Sequence, residues 1–585
     1  MPEWRRLLIK LKFQEAVSYK NTMALPKKIW KTSQFHKGIS NLNVEGSFWF
    51  SNGLEFDQYP PFMKVANKFF KESDSVSLPA LDEPTYMCYF NYRYYCVNHD
   101  DGKIFQNDYS SWVEVHDSTN IWGGSGLYAD DDYMYYAGST WVGRFDKTTW
   151  VDNWQSFNVN TAFDDVPITK FLKFICFGNK NYLATWDTGA SVWNPNKLIL
   201  PTGYVIVWLA PLTDYLVISA HHPTFGSALF FWDGYSQTYN RVLQLTQTQS
   251  LAGVVDKNVL YFLTRDGWIC RFNGSGIEKL NRFPEMNHED YISLKAGCMK
   301  VYQGTILIAK GSNTYDVSRR SQYCGIWCYN PATNALYFKH RVSSGAVNHV
   351  TPGVSVMYGL YVDNNTIRVM YGDGNKSIID VNHETGTFRP YEFGAYWISP
   401  LIDNEPYLRK RWKQFILNFL KPMPNSSFAR FEIKYNIAEQ SIRDQAKYVT
   451  GGGSDYFTLS SIGSSIEVGD EVIVLAGPAA GQIRHIKSID TVTKTVYLDE
   501  TLYYVGTSQG YLQAGDYVAI TPFKRLGTIK GNENQGKVNK MLRFNARSKK
   551  IQFKVEVWSN SGYSGEWDMG VKDVSAVFVP DRIIK

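Results

Sequence analysis

Several short patterns in the sequence have residue types that can do chemistry, beginning with one serine motif. GTSQG at 506–510 has the G-x-S-x-G spacing of a serine-hydrolase nucleophile turn. That turn needs a strand before the serine and a helix after it, but the following YLQAGDYVAI alternates like another strand. We therefore interpret Ser508 as a residue of a hairpin turn.

The histidines and cysteines lack the spacing of a metal site. His221 and His222 are the only adjacent histidine pair, and neighbours on a strand point to opposite faces, so we assign them to a loop tip. Cys324 and Cys328 have a C-x-x-x-C spacing with no second pair. The odd total of 7 cysteines favours buried free thiols in a reducing compartment. We predict no metal and no other cofactor.

Carboxylates cluster at 130–132, at 164–165, and at Asp363 with Asp373. Glycosidases need a carboxylate pair across a pocket, and sialidases use a tyrosine nucleophile. The sequence is rich in both residue types, so their presence selects no reaction. The Ser-x-Asp-x-Gly-x-Thr-Trp box of sialidases does not occur. We predict that the protein is not an enzyme.

The densest basic cluster is RKRWK at 409–413. Arg409, Arg411 and Lys413, with Trp412 among them, are our candidate residues for contact with a partner, and phosphate contact is conceivable there. The alternative is that the three basic side chains are simply the solvent face of an alternating strand.

Composition separates this chain from several classes of protein. The net charge of +6 on 585 residues gives no case for sequence-specific nucleic-acid binding. The most apolar stretch, 198–212, is too short and too interrupted by proline and glycine to span a membrane. The N-terminus fails as a secretory signal because charges interrupt its apolar part. Aromatic residues make up 16% of the chain, which favours strands and interfaces.

The elements that must position these residues follow a repeat. Seven times an apolar run ends in an aromatic or β-branched landmark residue, meets Asp, Asn or Gly, and is followed by another β-prone run. The landmarks are Phe105, Phe145, Trp193, Trp232, Phe272, Tyr329 and Val381. They lie 39 to 57 residues apart, which is the period of a β-propeller blade. We predict about seven blades, with six or eight as alternatives.

A strand precedes each landmark, such as YMYY at 133–136 and YLATW at 182–186. The hairpin at 46–64 is predicted to close the ring with an outer strand, so that the propeller spans 46–395. Residues 1–45 are an N-terminal arm that either binds a partner or folds back along the propeller.

The pattern changes near residue 390. Period-2 alternation in 396–446 and again in 525–585 predicts one discontinuous antiparallel β-sandwich. Between them, 447–524 has short strands punctuated by Gly-Asp and Gly-Pro turns, which predicts an inserted small β-barrel. The fold class is therefore all-β: a propeller, then a sandwich with an inserted barrel.

Two segments resemble parts of bacteriophage tail structural proteins. The hairpin GSFWFSNGLEFDQYPPFMK and the segment GDEVIVLAGPAAGQIRHIKSI, together with a propeller and a C-terminal sandwich, are similar to tail nozzle, hub or fibre-attachment components. The resemblance implies a structural role in the virion tail, assembly in the bacterial cytoplasm, other tail proteins as partners, and a symmetric homo-oligomer in the particle. The alternative is a propeller that binds or depolymerises host surface glycans, since tyrosine and tryptophan faces stack on sugar rings.

Overall fold

The structure is a computed structural model that describes most of residues 27–580. The stretches left undescribed within that range are 34, 40–45, 57–61, 68, 100, 108–110, 118–125, 160–164, 246–248, 284–291, 312–324, 343–355, 364–365, 374–375, 384–394, 404–407, 427–428, 438–445, 464–465, 475–478, 480–481, 503–510 and 559–569. The proposed serine turn at 506–510 lies outside the described residues.

Seven four-stranded antiparallel sheets follow one another along the described chain, and each is one propeller blade. Their strands, from first to fourth, are Pro84–Phe90, Arg93–Asn98, Ile104–Asn107 and Trp112–His116 in blade one; Gly126–Ala129, Met134–Ala137, Trp141–Phe145 and Trp150–Ser156 in blade two; Ile168–Phe171, Phe174–Asn179, Tyr182–Asp187 and Val192–Ile199 in blade three; Val205–Pro211, Leu216–His222, Gly226–Trp232 and Arg241–Gln244 in blade four; Ser250–Asp256, Val259–Thr264, Trp268–Phe272 and Ile277–Arg282 in blade five; Met299–Tyr302, Thr305–Lys310, Gly325–Asn330 and Ala335–Arg341 in blade six; and Met357–Val362, Thr366–Asp373, Lys376–His383 and Phe70–Asp74 in blade seven.

Burial explains why the second strands read as continuous apolar runs. Phe174–Asn179 and Thr305–Lys310 are buried at every residue, because neighbouring blades cover both faces. The fourth strands lie at the outer edge of the propeller, and Trp150–Ser156 is largely exposed.

Asx turns join the third strand to the fourth in five blades. Four of them directly follow a predicted landmark and confirm the prediction, whereas the turn at Asp187 was not predicted. Each uses a side-chain oxygen that accepts backbone N–H groups two or three residues later, which fixes the reversal of the chain. The five residues are Asp146, Asp187, Asp233, Asn273 and Asn330.

One landmark was misplaced. Trp193 lies in the fourth strand of blade three, and YLATW is part of the third strand. The turn follows Trp186, at Asp187, while the Asn194-Pro195-Asn196 segment lies inside the edge strand. Pro is tolerated in such a strand because the edge leaves its nitrogen without a ladder partner.

The ring is closed by a segment other than the predicted hairpin. Phe70–Asp74 pairs with Lys376–His383 and supplies the fourth strand of blade seven. The first strand of blade seven contacts that of blade one, and each other neighbouring pair is also in contact, so the ring is complete. The predicted hairpin at 46–64 belongs to the sandwich instead, because its alternating aromatic residues pack into the core there.

The C-terminal sandwich is confirmed, and it also takes strands from the N-terminal region. One sheet has, in order, Asn539–Ser548, Lys410–Phe419, Gly570–Pro580, Met63–Val65 and Leu54–Glu55, with Lys28–Thr32 also paired to Gly570–Pro580. The other has Phe50–Asn52, Ala395–Ile398, Gln552–Trp558, Arg430–Asn436 and Lys524–Lys530. Both proposals for the arm are therefore wrong for residues 28–32, which pair within this sandwich.

Three short elements complete this part of the chain. Gly38–Ile39 and Ser47–Phe48 form a two-stranded parallel sheet, and Ala296–Cys298 is a 3-10 turn before blade six.

The inserted barrel is a closed ring of six strands. In order around the barrel they are Ala446–Gly452, Tyr456–Leu459, Thr495–Leu498, Ile483–Asp490, Glu471–Val474 and Tyr517–Thr521. The barrel lies between Arg430–Asn436 and Lys524–Lys530, which pair directly with each other in the sandwich. The barrel is therefore inserted in the connection between two adjacent sandwich strands.

Shared cores join the three β units. Phe50 of the sandwich stacks on Phe338 of blade six at 6.1 Å between ring centroids. Ile473 and Ala519 of the barrel belong to the same apolar cluster as Trp558 of the sandwich. The propeller, sandwich and barrel thus pack against one another through apolar side chains.

Ring closure depends on one carboxylate. Glu72, on the closing strand, accepts hydrogen bonds from Arg368 of blade seven at 3.0 Å and from Trp112 of blade one at 3.0 Å. Arg368 is buried, so neutralising its partner leaves an uncompensated charge.

We predict that Glu72→Gln lowers the free energy of unfolding by about 3 kcal/mol, measured by urea denaturation. Glu278→Gln, in an exposed pair with Arg271, is the control and has a small effect; equal losses in both variants would contradict the prediction.

A buried carboxyl in the barrel makes stability depend on pH. Asp516 is fully buried, and burial raises its pKa to about 7. The folded state therefore keeps a proton that the unfolded chain releases above about pH 4, so this group reduces stability as pH rises from about 4 to about 7.

We predict that Asp516→Asn removes this loss while it keeps an oxygen to accept the N–H of Gln513. Its stability gain over the natural protein should grow across that pH window to about 4 kcal/mol and stay constant above it. Chemical denaturation at several pH values measures the gain. Asp490→Asn, in an exposed turn, should leave the profile between pH 5 and pH 8 unchanged; a gain that does not vary with pH would refute the assignment.

Candidate functional site: the propeller channel

The first strands of all seven blades enclose a central cavity of about 590 Å³. These strands run parallel around the axis, so their beginnings meet at one mouth of the channel and their ends at the other. The walls mix polar and apolar surface, and Met87, Leu127, Trp208 and Leu360 are among the lining residues. A cavity of this size is within the range of small-molecule sites.

Lys300 is the one charged residue among those that line this cavity. It lies in the first strand of blade six, directly after the 3-10 turn. Its side chain is half-buried, and the loss of surrounding water lowers its pKa. No carboxylate of the described residues pairs with it.

Tyr86 lines the same cavity. Its hydroxyl is buried and has no hydrogen-bond partner among the described residues. The backbone has a φ of +42° there, a conformation that L-residues rarely adopt. The ring lies beside Gly297, where an added Cβ would be 3.6 Å from it.

The mouth at the beginnings of the strands carries charged groups. Asp165 has an oxygen 3.1 Å from Nε2 of His99 and 3.6 Å from Nζ of Lys295. Asp165 and Lys295 also line an adjoining pocket of about 330 Å³, together with His221.

The opposite mouth is aromatic. Tyr89, Tyr128 and Tyr361 line the cavity from blades one, two and seven. Tyr94 packs against Tyr361 at 5.6 Å between ring centroids and donates its hydroxyl hydrogen to Asp363 at 2.6 Å. Burial and this bond to Asp363 raise the pKa of Tyr94 to about 12. Sequence reasoning singled out Asp363 but not its tyrosine partner, which comes from another blade.

The RKRWK segment does not form a joint site with its tryptophan. Arg409 and Arg411 are exposed, as the alternating pattern predicted. Trp412 is fully buried and packs on Phe578 at 4.8 Å, so its expected contact with a partner is wrong. Lys413 donates to Asn545 at 2.9 Å. A partner contact through the basic residues remains a prediction.

The other candidate residues serve the fold where they are described. His222 accepts the backbone N–H groups of Thr224 and Phe225 in the turn after its strand, at 3.0 and 3.1 Å. The six described cysteines are buried free thiols, as predicted. No group of three or more His, Cys, Asp or Glu within the described ranges is placed to hold a metal ion. No helix in that part of the chain is long and apolar enough to cross a membrane.

A buried cluster of charge joins the barrel to the sandwich. Lys434 and Lys554 come from adjacent sandwich strands, where they are register partners, as are Glu432 and Glu556. Nζ of Lys434 lies 2.5 Å from Glu471 of the barrel and 2.5 Å from Glu556, and Nζ of Lys554 lies 2.7 Å from Glu471. All four side chains of this Lys434–Lys554–Glu471–Glu556 tetrad are fully buried.

The tetrad is balanced, with two positive and two negative groups. Burial opposes charge on Lys434, but Glu471 and Glu556 outweigh it and hold the pKa of Lys434 above its ordinary value. Burial likewise opposes charge on Glu556, but Lys434 and Lys554 keep the pKa of this carboxyl well below its ordinary value. This cluster could not be recognised from the sequence, because the alternating charges in FEIKYN and FKVEVW are typical of the solvent-exposed face of a strand.

Comparison with known proteins gives structural similarity without sequence similarity. No family model and no curated protein matches the chain. The Neurospora crassa Pan2 WD40 domain is 10% identical, with 56% of this chain and 100% of that chain covered and a TM-score of 0.38. The Myceliophteria thermophila Cps50 (Swd1) β-propeller domain is 8% identical, covering 52% and 97%, with a TM-score of 0.37. The computationally designed Ika8 protein is 12% identical, covering 54% and 93%, with a TM-score of 0.36.

The sheet topology itself defines the class: a β-propeller with a sandwich and an inserted barrel.

Neutralising one member of the tetrad leaves the others unbalanced in an apolar interface. We predict that Glu471→Gln lowers the free energy of unfolding by about 3–5 kcal/mol in urea denaturation. The matched control is Glu467→Gln, which removes an exposed partner of Lys524 in the same barrel and should cause no measurable change. A stable Glu471→Gln protein would mean that the tetrad does not hold the barrel.

Proposed function

We propose that this chain is a non-enzymatic structural component of a bacteriophage tail, assembled in the bacterial cytoplasm, where it supports fibre attachment or host adsorption. The observation that carries the proposal is the packing of propeller, sandwich and barrel against one another through shared apolar clusters. A tail component has to hold its neighbours at fixed positions, and a chain whose modules share cores is suited to that task. The likeness of two segments to phage tail proteins supports the viral assignment.

Two kinds of contact support rigidity at the module boundaries. At the propeller edge, Phe56 meets Tyr337 of blade six edge-on at 5.1 Å between ring centroids. At the barrel, the tetrad sets the orientation, because two lysines must both meet Glu471. Directional buried contacts of this kind specify one arrangement where apolar packing alone allows several.

The barrel also presents a surface for a neighbour. Tyr456 and Tyr497 are register partners on adjacent strands, 6.2 Å apart between centroids, and are 38% and 40% exposed. Tyr448, 49% exposed, forms a second pair with Tyr517. Rigid amphipathic tyrosines are enriched at protein interfaces. We infer that this face of the barrel contacts other tail proteins or another copy of the chain.

The direct test uses virions of the phage that encodes this sequence. Mass spectrometry of purified particles should find the protein in stoichiometric amount, and particles grown without it should lack a complete tail. A double variant, Tyr456→Ser with Tyr497→Ser, should fold normally but enter particles less efficiently. Glu467→Gln, an exposed change before the barrel strand Glu471–Val474, which does not pair with the strands of either tyrosine, is the control. Absence of the protein from purified virions would refute the proposal.

A second candidate function is binding of host surface glycans. The observation that favours it is the aromatic mouth, where Tyr89, Tyr128 and Tyr361 lie at the entrance of the cavity with Asp363 nearby. A glycan array probed with the natural protein and with Tyr361→Ala tests this function. Loss of binding in the variant would support it, whereas an array with no binding, together with no sugar release from host envelope, would exclude it.

A further inference from the structure

Lys300 poses a physical problem inside the propeller channel. A half-buried ammonium group loses part of its hydration, and an anionic partner recovers that free energy. Two fully buried lysines of this protein have such partners, since Lys434 and Lys554 meet carboxylates in the tetrad. Lys300 has no carboxylate partner among the described residues, although it lines a cavity of about 590 Å³.

The channel offers the rest of a binding site. Its walls mix polar and apolar surface, and Trp208 and Gly253 are both among the lining residues. Tyr86 also lines the cavity, with its hydroxyl buried. Tyr128 and Tyr361 line the same cavity.

We propose that the propeller channel binds a small organic carboxylate, whose carboxyl group pairs with Lys300. One cation matches one negative charge, so a monoanionic carboxylate fits better than a phosphate dianion. Walls of mixed polar and apolar surface, with tyrosines among them, suit a polar carbon skeleton or a sugar ring, and the cavity volume is within the range for a small ligand. This site is independent of the assembly role, since it lies inside the ring and not on the outer surface.

The test uses the full-length protein and pairs of probes that differ only in charge. Sodium glucuronate is compared with glucose, and sodium benzoate with benzyl alcohol, while inorganic phosphate is a third anion. Thermal unfolding and isothermal titration calorimetry follow each probe. Lys300→Met removes the charge with little change in volume, and Lys487→Met removes an exposed lysine of the barrel as the control.

We expect at least one carboxylate to raise the melting temperature of the natural protein more than its neutral counterpart does. This difference should vanish in Lys300→Met, with affinity at least tenfold weaker, and persist in Lys487→Met. Without any probe, Lys300→Met should melt at the same or a higher temperature, because it no longer buries an unpaired charge.

Three results would overturn the proposal. The first is equal responses to carboxylates and neutral probes, and the second is carboxylate binding that survives Lys300→Met. The third is a Lys300-dependent response to phosphate that exceeds every carboxylate response, which would assign another ligand class. If Lys300→Met does not fold, Lys300→Gln keeps a polar end and permits the same comparison.

Discussion

Four fully buried charges between the sandwich and the barrel are the constraint on which the rest of this architecture depends. Lys434 and Lys554 leave the sandwich sheet side by side and converge on Glu471 of the barrel, with Glu556 completing the balance. Removing four charges from water costs free energy, and this cost is offset only when each charge is close to a partner of opposite sign. The barrel is therefore stable against the sandwich in one orientation, because a shift of either unit would leave a buried charge without its partner.

The propeller meets the same requirement by other means. Its ring is closed by a strand from before blade one, so unfolding of blade seven must also release the N-terminal segment. That segment continues backward into the sandwich, where Lys28–Thr32 and Phe50–Asn52 pair with C-terminal strands. The two ends of the described chain are thus interleaved, and neither the propeller nor the sandwich is complete without both.

Much of this fold follows from short-range sequence patterns. Asp146 and Asp233 could be predicted as turn residues because an Asx turn is a local structure, decided by a side chain and the next few N–H groups. The barrel and the sandwich were also recognisable, since period-2 alternation and Gly-Asp turns are local signals.

Pairing between distant segments could not be predicted. Which strand closes the ring depends on register with Lys376–His383, some three hundred residues away, and no local pattern encodes it. Charges at Lys434 and Glu556 looked solvated because burial is decided by the barrel that covers them. The position of Lys300 in the channel could not be predicted for a related reason: a single lysine in a strand does not show that seven first strands will enclose it.

The central claim, that propeller, sandwich and barrel move as one body, is tested most directly by a distance between them. Spin labels are attached at Val151→Cys on the outer strand of blade two and at Lys487→Cys on the barrel, and double electron–electron resonance measures the distance between them. Both positions are exposed, and the described native cysteines are buried. A single narrow distance distribution is predicted, and it should broaden when Glu471→Gln is added. A broad or multiple distribution in the otherwise natural protein would contradict the account.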